Sequence, residues 1–206
     1  MHRFLILSVF ILLSCGTQYK IANTLQEKSV NKVVKNPYFN QIGKEYSYRF
    51  KITFMKNEMK GNFIVKKIDD STHRAVMTSD FGNTLFDLSI TNTDYTLHYA
   101  MPDLNKKIVV NTLADDLQTI YKNDFQINQQ IDTNDLRILK SKEISLSFPK
   151  NEPIYFNELT RLNNNKIKTI NTLKVDETDY IPHILIKHNH FNLSIELTKS
   201  IPLLEE

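Results

Sequence analysis

Short segments in which apolar and polar residues alternate recur along this chain, and they constrain its fold more than any other feature. The clearest is Tyr46–Phe54, where five apolar or aromatic residues alternate with four polar ones. This period of two is typical of a strand with one buried and one wet face. Further strands are predicted, with short turns between them, at residues 61–68, 73–79, 84–90 and 95–101. Such a series predicts an antiparallel meander.

The second half of the chain is predicted to contain a helix and more strands. We expect a short strand at 106–110 and then a helix that begins at Thr112, because Thr112 and Asp115 fit a capping box. The helix would carry an amphipathic stripe formed by Leu113, Leu117, Ile120 and Tyr121. For residues 123–139 two interpretations remain open, a second helix or a long loop. Strands are predicted again at residues 144–148, 154–156, 166–175, 180–187 and 191–199. The fold class is therefore mainly β, a single curled antiparallel sheet of about ten strands with one or two helices over its concave side.

The N-terminus has the features of a lipoprotein signal. Residues 1–14 carry Arg3 and a short apolar stretch, followed by Leu12-Leu13-Ser14-Cys15-Gly16. This motif resembles a bacterial lipobox, in which the cysteine is lipidated and becomes the mature N-terminus. The alternative is a chance cysteine beside an ordinary cleavage site. Cys15 is the only cysteine, so an internal disulfide and a thiolate metal cluster are excluded.

These features divide the chain into three predicted parts. Residues 1–14 would be the signal peptide, 15–36 a lipid-anchored polar tether, and 37–206 one domain large enough for a sizeable core. The residues after Cys15 are not acidic. By resemblance to lipoprotein sorting rules, this implies the outer membrane, with the domain facing the periplasm.

The turn between the third and fourth predicted strands carries an unusual residue. Asp80-Phe81-Gly82-Asn83 is typical of a hairpin turn, because Gly and Asn readily adopt positive φ. A turn tip is normally polar, so Phe81 has two interpretations. Its ring folds back onto its own sheet, or it contacts a membrane or a partner.

Charge and motifs argue against several function classes. Removal of residues 1–14 lowers the formal net charge from +3 to +2, which is too small for a dedicated nucleic-acid binder. His183, His188 and His190 are interpreted as solvated turn residues rather than metal ligands. The carboxylate pairs, such as Asp115-Asp116, are interpreted as wet charges at turns or a helix start. No catalytic motif is present in the sequence, so we expect no enzyme, no metal and no cofactor.

The run from Tyr46 to Ile90 resembles the LolB family of outer-membrane lipoprotein receptors. The resemblance is most specific in Thr78-Ser-Asp-Phe-Gly-Asn-Thr-Leu85, and Leu113–Ile120 is similar to the family's first lid helix. It implies an unclosed β-barrel with a helical lid and an apolar cavity for acyl chains. In that family an apolar residue just before a Gly protrudes and is needed for insertion, a role that falls here on Phe81 with Gly82. The implied partners are acylated lipoprotein cargo and a periplasmic LolA-like carrier, and we expect a monomer.

Shared parity along the strands and helix predicts which side chains would line such a cavity. They are Tyr48, Phe50, Ile52, Phe54, Phe86, Leu88, Leu97, Tyr99, Leu113, Leu117, Ile120, Leu193 and Ile195. Two functions are compatible with this pattern. One is a lipid-anchored acceptor that binds the acyl chains of lipoproteins and inserts them into the outer membrane. The other is a structural or adaptor lipoprotein of the envelope, whose sheet is filled by its own side chains.

Overall fold

The computed structural model describes residues 26–152, 154–176 and 180–200. Within these residues there are thirteen strands and one helix, α1 (Lys107–Tyr121), between β6 and β7. The strands are β1 (Gln26–Lys35), β2 (Glu45–Phe54), β3 (Asn57–Lys67), β4 (His73–Ser79), β5 (Thr84–Ile90), β6 (Tyr95–Ala100), β7 (Asp124–Asp132), β8 (Leu136–Lys140), β9 (Ile144–Pro149), β10 (Glu158–Asn163), β11 (Lys166–Lys174), β12 (His183–His188) and β13 (Leu193–Lys199).

All these strands belong to one antiparallel sheet. Their order is β1-β7-β8-β9-β10-β11-β12-β13-β2-β3-β4-β5-β6, so β1 and β6 are its two edges. Because the edges are not paired with each other, the sheet remains open and curls around α1. The predicted fold class, a mainly β curled sheet with a helical lid, is therefore confirmed, with thirteen strands rather than ten.

The core lies between the helix and the inner face of the sheet. Val110, Leu113, Leu117 and Ile120 of α1 are buried in one cluster with the inward side chains of the strands. The end of the helix is fixed by Asn36, whose Nδ2 donates to the carbonyls of Ile120 and Lys122 at 2.8 and 2.9 Å. This side chain satisfies two of the carbonyls that a helix end leaves without partners. The helix is therefore held in place at its C-terminus as well as along its apolar face.

The predicted meander matches β2 to β6, and the predicted helix start does not match the structure. The helix begins at Lys107 rather than Thr112, and Lys106 at its N-cap makes no capping hydrogen bond through its side chain. The prediction of a strand at 106–110 was therefore wrong. The β-branched run Ile108-Val109-Val110 favours strand locally. Burial of Val110 with the helix stripe outweighs that preference.

Residues 123–139, for which the sequence allowed either a helix or a long loop, are mostly strand. β7 and β8 occupy 124–132 and 136–140, where long polar residues such as Gln129 and Gln130 obscure the alternation. The expected strand at 154–156 is absent from the described residues, since the next strand after β9 begins at Glu158. Side chains of this stretch still reach the core, where Phe156 packs against Phe125 and Phe148.

The segment predicted as a polar tether ends in a strand. Gln26–Lys35 forms β1, which pairs with β7 at one edge of the sheet, and Val30 and Val34 pack against the core. Cys15 and the residues up to 25 lie outside the described part of the chain. The helix α1 is neither long nor apolar enough to cross a bilayer, and it is the only helix in the described residues.

Candidate functional site

The hairpin tip between β4 and β5 presents Phe81 to solvent. Its side chain is 93% exposed, the largest exposed fraction among the apolar residues described as exposed. The turn is closed by the amide of Gly82, which donates to the Ser79 carbonyl at 2.9 Å, and by the amide of Ser79, which donates to the Asn83 carbonyl at 2.8 Å. Gly82 has φ +82°, a conformation that side-chain-bearing residues rarely adopt. The interpretation in which Phe81 folds back onto its own sheet is therefore wrong.

Other exposed apolar side chains lie at turns near this end of the strands. Phe54 and Met55 flank the β2–β3 turn, and Phe191 lies in the β12–β13 turn. The two turns touch, because the Met55 amide donates to the Asn192 carbonyl at 2.9 Å. An ion pair between Arg49 and Asp80 ties the Phe81 hairpin to β2.

Most of the predicted cavity-lining residues do share the inner face of the sheet. Those that are buried in the core cluster are Tyr48, Phe50, Phe86, Leu88, Leu113, Leu117, Ile120 and Ile195. Ile52 and Leu97 are partly buried against the same cluster. Leu193 is half-buried at the start of β13. In the structure these side chains pack against one another and against α1, so the inner face is a filled core.

Two of the predicted lining residues lie elsewhere. Tyr99 is 45% exposed because a bulge shifts the register between Asp87 and Leu88. Tyr99 therefore pairs with Asp87 of the outer face, and Ala100 takes the inward position opposite Phe86. Phe54 has the expected parity but is 43% exposed, because β2 ends there, beyond the edge of the core. A bulge inserts an extra residue, so side chains beyond it lie on the opposite face of the sheet even though the sequence still alternates between apolar and polar residues.

A cavity of about 990 Å³ lies on the other side of α1. We call it the α1 cavity. Its walls are the polar face of the helix, the β8–β9, β10–β11 and β12–β13 turns, and Asn92 of the β5–β6 turn. Its lining is mainly polar and charged, with Ile144, Leu162 and Phe191 as apolar members. None of the predicted acyl-lining residues contributes to it.

Beneath this cavity a buried carboxylate joins the helix to two strands. Asp116 is 0% exposed, and its Oδ2 lies 2.8 Å from Nε2 of His188, whose side chain is 3% exposed. Its Oδ1 lies 3.6 Å from Nη2 of Arg161, while Nη1 of the same guanidinium donates to Oδ2 of Asp115 at 2.9 Å. Burial raises the pKa of Asp116, and the hydrogen bond from His188 and the charge of Arg161 act against that rise.

This cluster overturns two interpretations from the sequence. His188 is not a solvated turn residue, since β12 extends to it and its ring stacks on Phe191 at 4.7 Å between centroids. Asp116 is not a wet charge at a helix start, since the helix begins nine positions earlier at Lys107. One feature of the sequence does indicate that Asp116 is buried. Asp116 follows Leu113 by three positions and precedes Ile120 by four, so it lies on the same side of the helix as these two apolar residues.

The partners of Asp116 form a row across the sheet. Arg161 of β10 is opposite Thr169 of β11, and Thr169 is opposite His188 of β12. Thr169 is fully buried, and its hydroxyl oxygen has no hydrogen-bond partner. No group of three or more metal-ligating side chains occurs among the described residues.

Comparison with known proteins gives a result only at the level of structure. No protein-family model matches the chain, and no curated protein matches it in sequence. A LolA superfamily protein from Nitrosomonas europaea matches with a TM-score of 0.51 and 8% identity, over 81% of this chain and 87% of that one. A putative outer membrane lipoprotein-sorting protein domain from Vibrio parahaemolyticus matches with a TM-score of 0.42 and 8% identity, over 79% and 87%. The open sheet with its covering helix is therefore the same fold as that of the Nitrosomonas europaea protein.

Proposed function

We propose that this protein is a lipid-anchored acceptor that takes up acylated lipoprotein cargo and inserts it into the outer membrane. The observation that carries the proposal is Phe81, an almost fully exposed ring on a turn closed by backbone hydrogen bonds at the end of a hairpin. The resemblance of Thr78–Leu85 to the LolB turn and the LolA-type fold support it. The donor would be a periplasmic LolA-like carrier, and the transfer needs no cofactor.

The exposed ring has a physical use at a membrane surface. Moving a Phe side chain from water into an apolar phase contributes about 1.5–3 kcal/mol. That free energy is too small to hold a protein at a bilayer alone. Lipidated Cys15 would supply the anchor. Phe81 would then orient the domain and disturb the lipid where the cargo leaves.

Acyl chains would enter the space between the sheet and α1. Leu113, Leu117 and Ile120 cover the inner face there, and each CH₂ group of a bound chain that leaves water contributes about 0.8 kcal/mol. Because that space is filled in this conformation, uptake requires α1 to move away from the sheet. Acyl chains would then replace the contacts that the helix stripe makes.

The second candidate is a structural or adaptor lipoprotein, and the packed inner face favours it. An acceptor is expected to hold an empty apolar cavity of several hundred Å³. The predicted lining residues instead form a closed core, and the α1 cavity is polar. Mass spectrometry of lipids that co-purify with the expressed protein separates the two candidates. Bound acyl lipid supports the acceptor, and its absence after exposure to acylated cargo supports the adaptor.

Phe81→Glu tests the membrane role of the turn. We expect the variant to fold, with a change in the free energy of unfolding of at most roughly 0.5 kcal/mol, because the ring makes few contacts. It should accept cargo from the carrier but fail to pass it into liposomes. Transfer of a lipoprotein from carrier to liposomes and thermal unfolding are the two measurements.

The matched control is Ile108→Glu, which removes another exposed apolar side chain, 75% exposed, on the first turn of α1. Glutamate near a helix N-terminus interacts favourably with the helix dipole, so this variant should fold and transfer cargo normally. Normal transfer by Phe81→Glu would show that the turn has no part in insertion. Loss of transfer in both variants would show that the effect is not specific to the turn.

A further inference from the structure

The lining of the α1 cavity is rich in positive charge. Lys122 at the end of α1, Lys142 in the β8–β9 turn and Lys168 on β11 all line it. No acidic group of the described residues pairs with any of these three lysines, although the other ion pairs of the sheet are well formed, such as Arg74 with Asp87 at 2.7 Å. Three lysines from three separate elements therefore line one cavity.

The acidic residues that line the cavity do not neutralise these lysines. Asp115 accepts a hydrogen bond from Arg161, and the neighbouring Asp116 is buried beneath the lining. Glu143 is the remaining carboxylate of the lining and is exposed next to Lys142. The cavity therefore keeps a positive balance, which attracts anions.

Side chains that are ion-paired with a buried carboxylate form the base of the cavity. Arg161 and His188 line it, and the buried carboxylate of Asp116 contacts both side chains, at 3.6 and 2.8 Å. The β10–β11 turn adds the amide side chains of Asn164 and Asn165, whose backbones have φ of 48° and 60°. A ligand would meet a guanidinium and an imidazole that both contact Asp116 at the base, amides on one wall, and lysines at the rim. Groups held in place by surrounding contacts lose little entropy on binding.

We propose that the α1 cavity binds a phosphate-bearing polar ligand, either a soluble phosphate ester or the head group of an anionic phospholipid. Lysine ammonium groups are common phosphate ligands, and arginine adds directional donors. Amides and the ring of Phe191 suit a hydroxylated or cyclic group attached to the phosphate. The volume is that of a small-molecule site. This site is separate from the apolar interior, and it does not depend on the proposed acceptor function.

Isothermal titration calorimetry on the full chain in detergent micelles tests this site. The soluble probes are glycerol 3-phosphate and inorganic phosphate. The lipid probe is phosphatidylglycerol in mixed micelles, compared with diacylglycerol in the same micelles. The site variant is Lys142→Gln with Lys168→Gln. The matched control is Lys56→Gln with Lys107→Gln, which removes the same charge at exposed positions outside the cavity.

We expect the wild-type protein and the control to bind a phosphate probe, and the site variant to bind it at least roughly tenfold more weakly. Binding of glycerol 3-phosphate identifies a soluble ester, and binding of phosphatidylglycerol alone identifies a lipid head group. Binding of no phosphate probe overturns the proposal, as does an equal loss in the site variant and the control. If the double variant unfolds at a lower temperature, Lys142→Gln alone, at an exposed turn, provides the same comparison.

Discussion

Two glycines of the sheet are required for different physical reasons. At Gly61 of β3, an added Cβ would lie 2.0 Å from the Thr78 carbonyl oxygen and 2.7 Å from Cε1 of Phe50. At Gly82 an added Cβ would meet nothing within 4 Å, but φ is +82°. Gly61 therefore makes room for a core ring, whereas Gly82 permits the turn that presents Phe81.

Alanine substitutions should separate these two reasons. Gly61→Ala must displace Phe50 or the neighbouring strand, so we expect a loss of about 1–3 kcal/mol in the free energy of unfolding. Gly82→Ala should lower the free energy of unfolding by about 1–2 kcal/mol through backbone strain alone. Gly82→Asn should lower it less, because Asn adopts positive φ more readily than Ala does. Urea unfolding measures all three variants. Wild-type stability of Gly61→Ala would contradict the close contact with Phe50.

His73 is a buried histidine that should make stability depend on pH. Its Nε2 donates to the Phe39 carbonyl at 3.0 Å, and its ring stacks on Tyr121. Burial lowers its pKa from 6.5, although the hydrogen bond to Phe39 and the charge of Asp69 act in the opposite direction. As pH falls, the unfolded chain therefore takes up this proton before the folded chain does. His73 therefore contributes its full share to the free energy of unfolding above about pH 6.5, and this contribution is lost as the pH falls below that value.

His73→Gln isolates this effect, because glutamine keeps a donor for the Phe39 carbonyl and does not titrate. As pH falls below about 6.5, the free energy of unfolding of the wild-type protein should decrease more steeply than that of the variant, by up to about 1.4 kcal/mol per pH unit. Urea unfolding at several pH values gives both slopes. Parallel slopes would mean that His73 is protonated equally well in the folded state.

At the scale of elements, α1 is attached to the sheet by an apolar stripe on one side and by the Asp116 cluster on the other. The stripe is buried in the core cluster on the inner face of the sheet, and Asp116 reaches Arg161 of β10 and His188 of β12. A buried ion pair adds little net stability compared with apolar residues, but removing one partner leaves the other uncompensated. The cluster therefore fixes where the helix lies more than it adds to stability.

A double-mutant cycle measures this attachment. We expect Asp116→Ala to lower the free energy of unfolding by roughly 3–5 kcal/mol, because Arg161 and His188 lose their buried acceptor. The cycle with His188→Ala should give a coupling energy above about 1 kcal/mol. The exposed pair Arg74 and Asp87, at 2.7 and 2.9 Å on the outer face, is the internal control and should couple by less than about 1 kcal/mol. Equal coupling energies in the two pairs would show that burial of the Asp116–His188 pair does not strengthen its interaction.

The elements that could be predicted from the sequence are those whose alternation is complete. β2, β4 and β5 have the expected bounds to within a residue, since one face of each is mainly apolar and short turns delimit them. β7 and β8 escaped prediction because they lie near the edge next to β1, where a strand can keep polar residues on both faces. Asp116, Arg161 and His188 are far apart in the chain and meet only through the order of the strands, so periodicity could not bring them together.

At the scale of the whole molecule, the sheet order separates β1 from the Phe81 hairpin. β1 is the first strand of the sheet and β4 the eleventh, so ten strand spacings lie between them. At about 4.8 Å per spacing, the path along the curved sheet is roughly 48 Å. The ten residues from 16 to 25 that precede β1 span at most about 35 Å when fully extended. An anchor at Cys15 would therefore act through a connection shorter than the path along the sheet from β1 to the Phe81 hairpin.

The length of this connection should limit insertion if Cys15 is the anchor and Phe81 enters the same membrane. Deletion of residues 17–24 leaves two residues before β1, which span at most about 7 Å. We expect the deletion variant to remain lipidated and folded, yet to lose transfer of lipoprotein to membranes as severely as Phe81→Glu does. Replacement of residues 17–24 by a Gly/Ser sequence of equal length is the control, and it should transfer normally because it retains the reach. Transfer in reconstituted liposomes, labelling with a palmitate analogue and thermal unfolding are the measurements. Normal transfer by the deletion variant would mean that the anchor and the hairpin do not have to reach the same bilayer, and Phe81 would then contact something other than the membrane that holds Cys15.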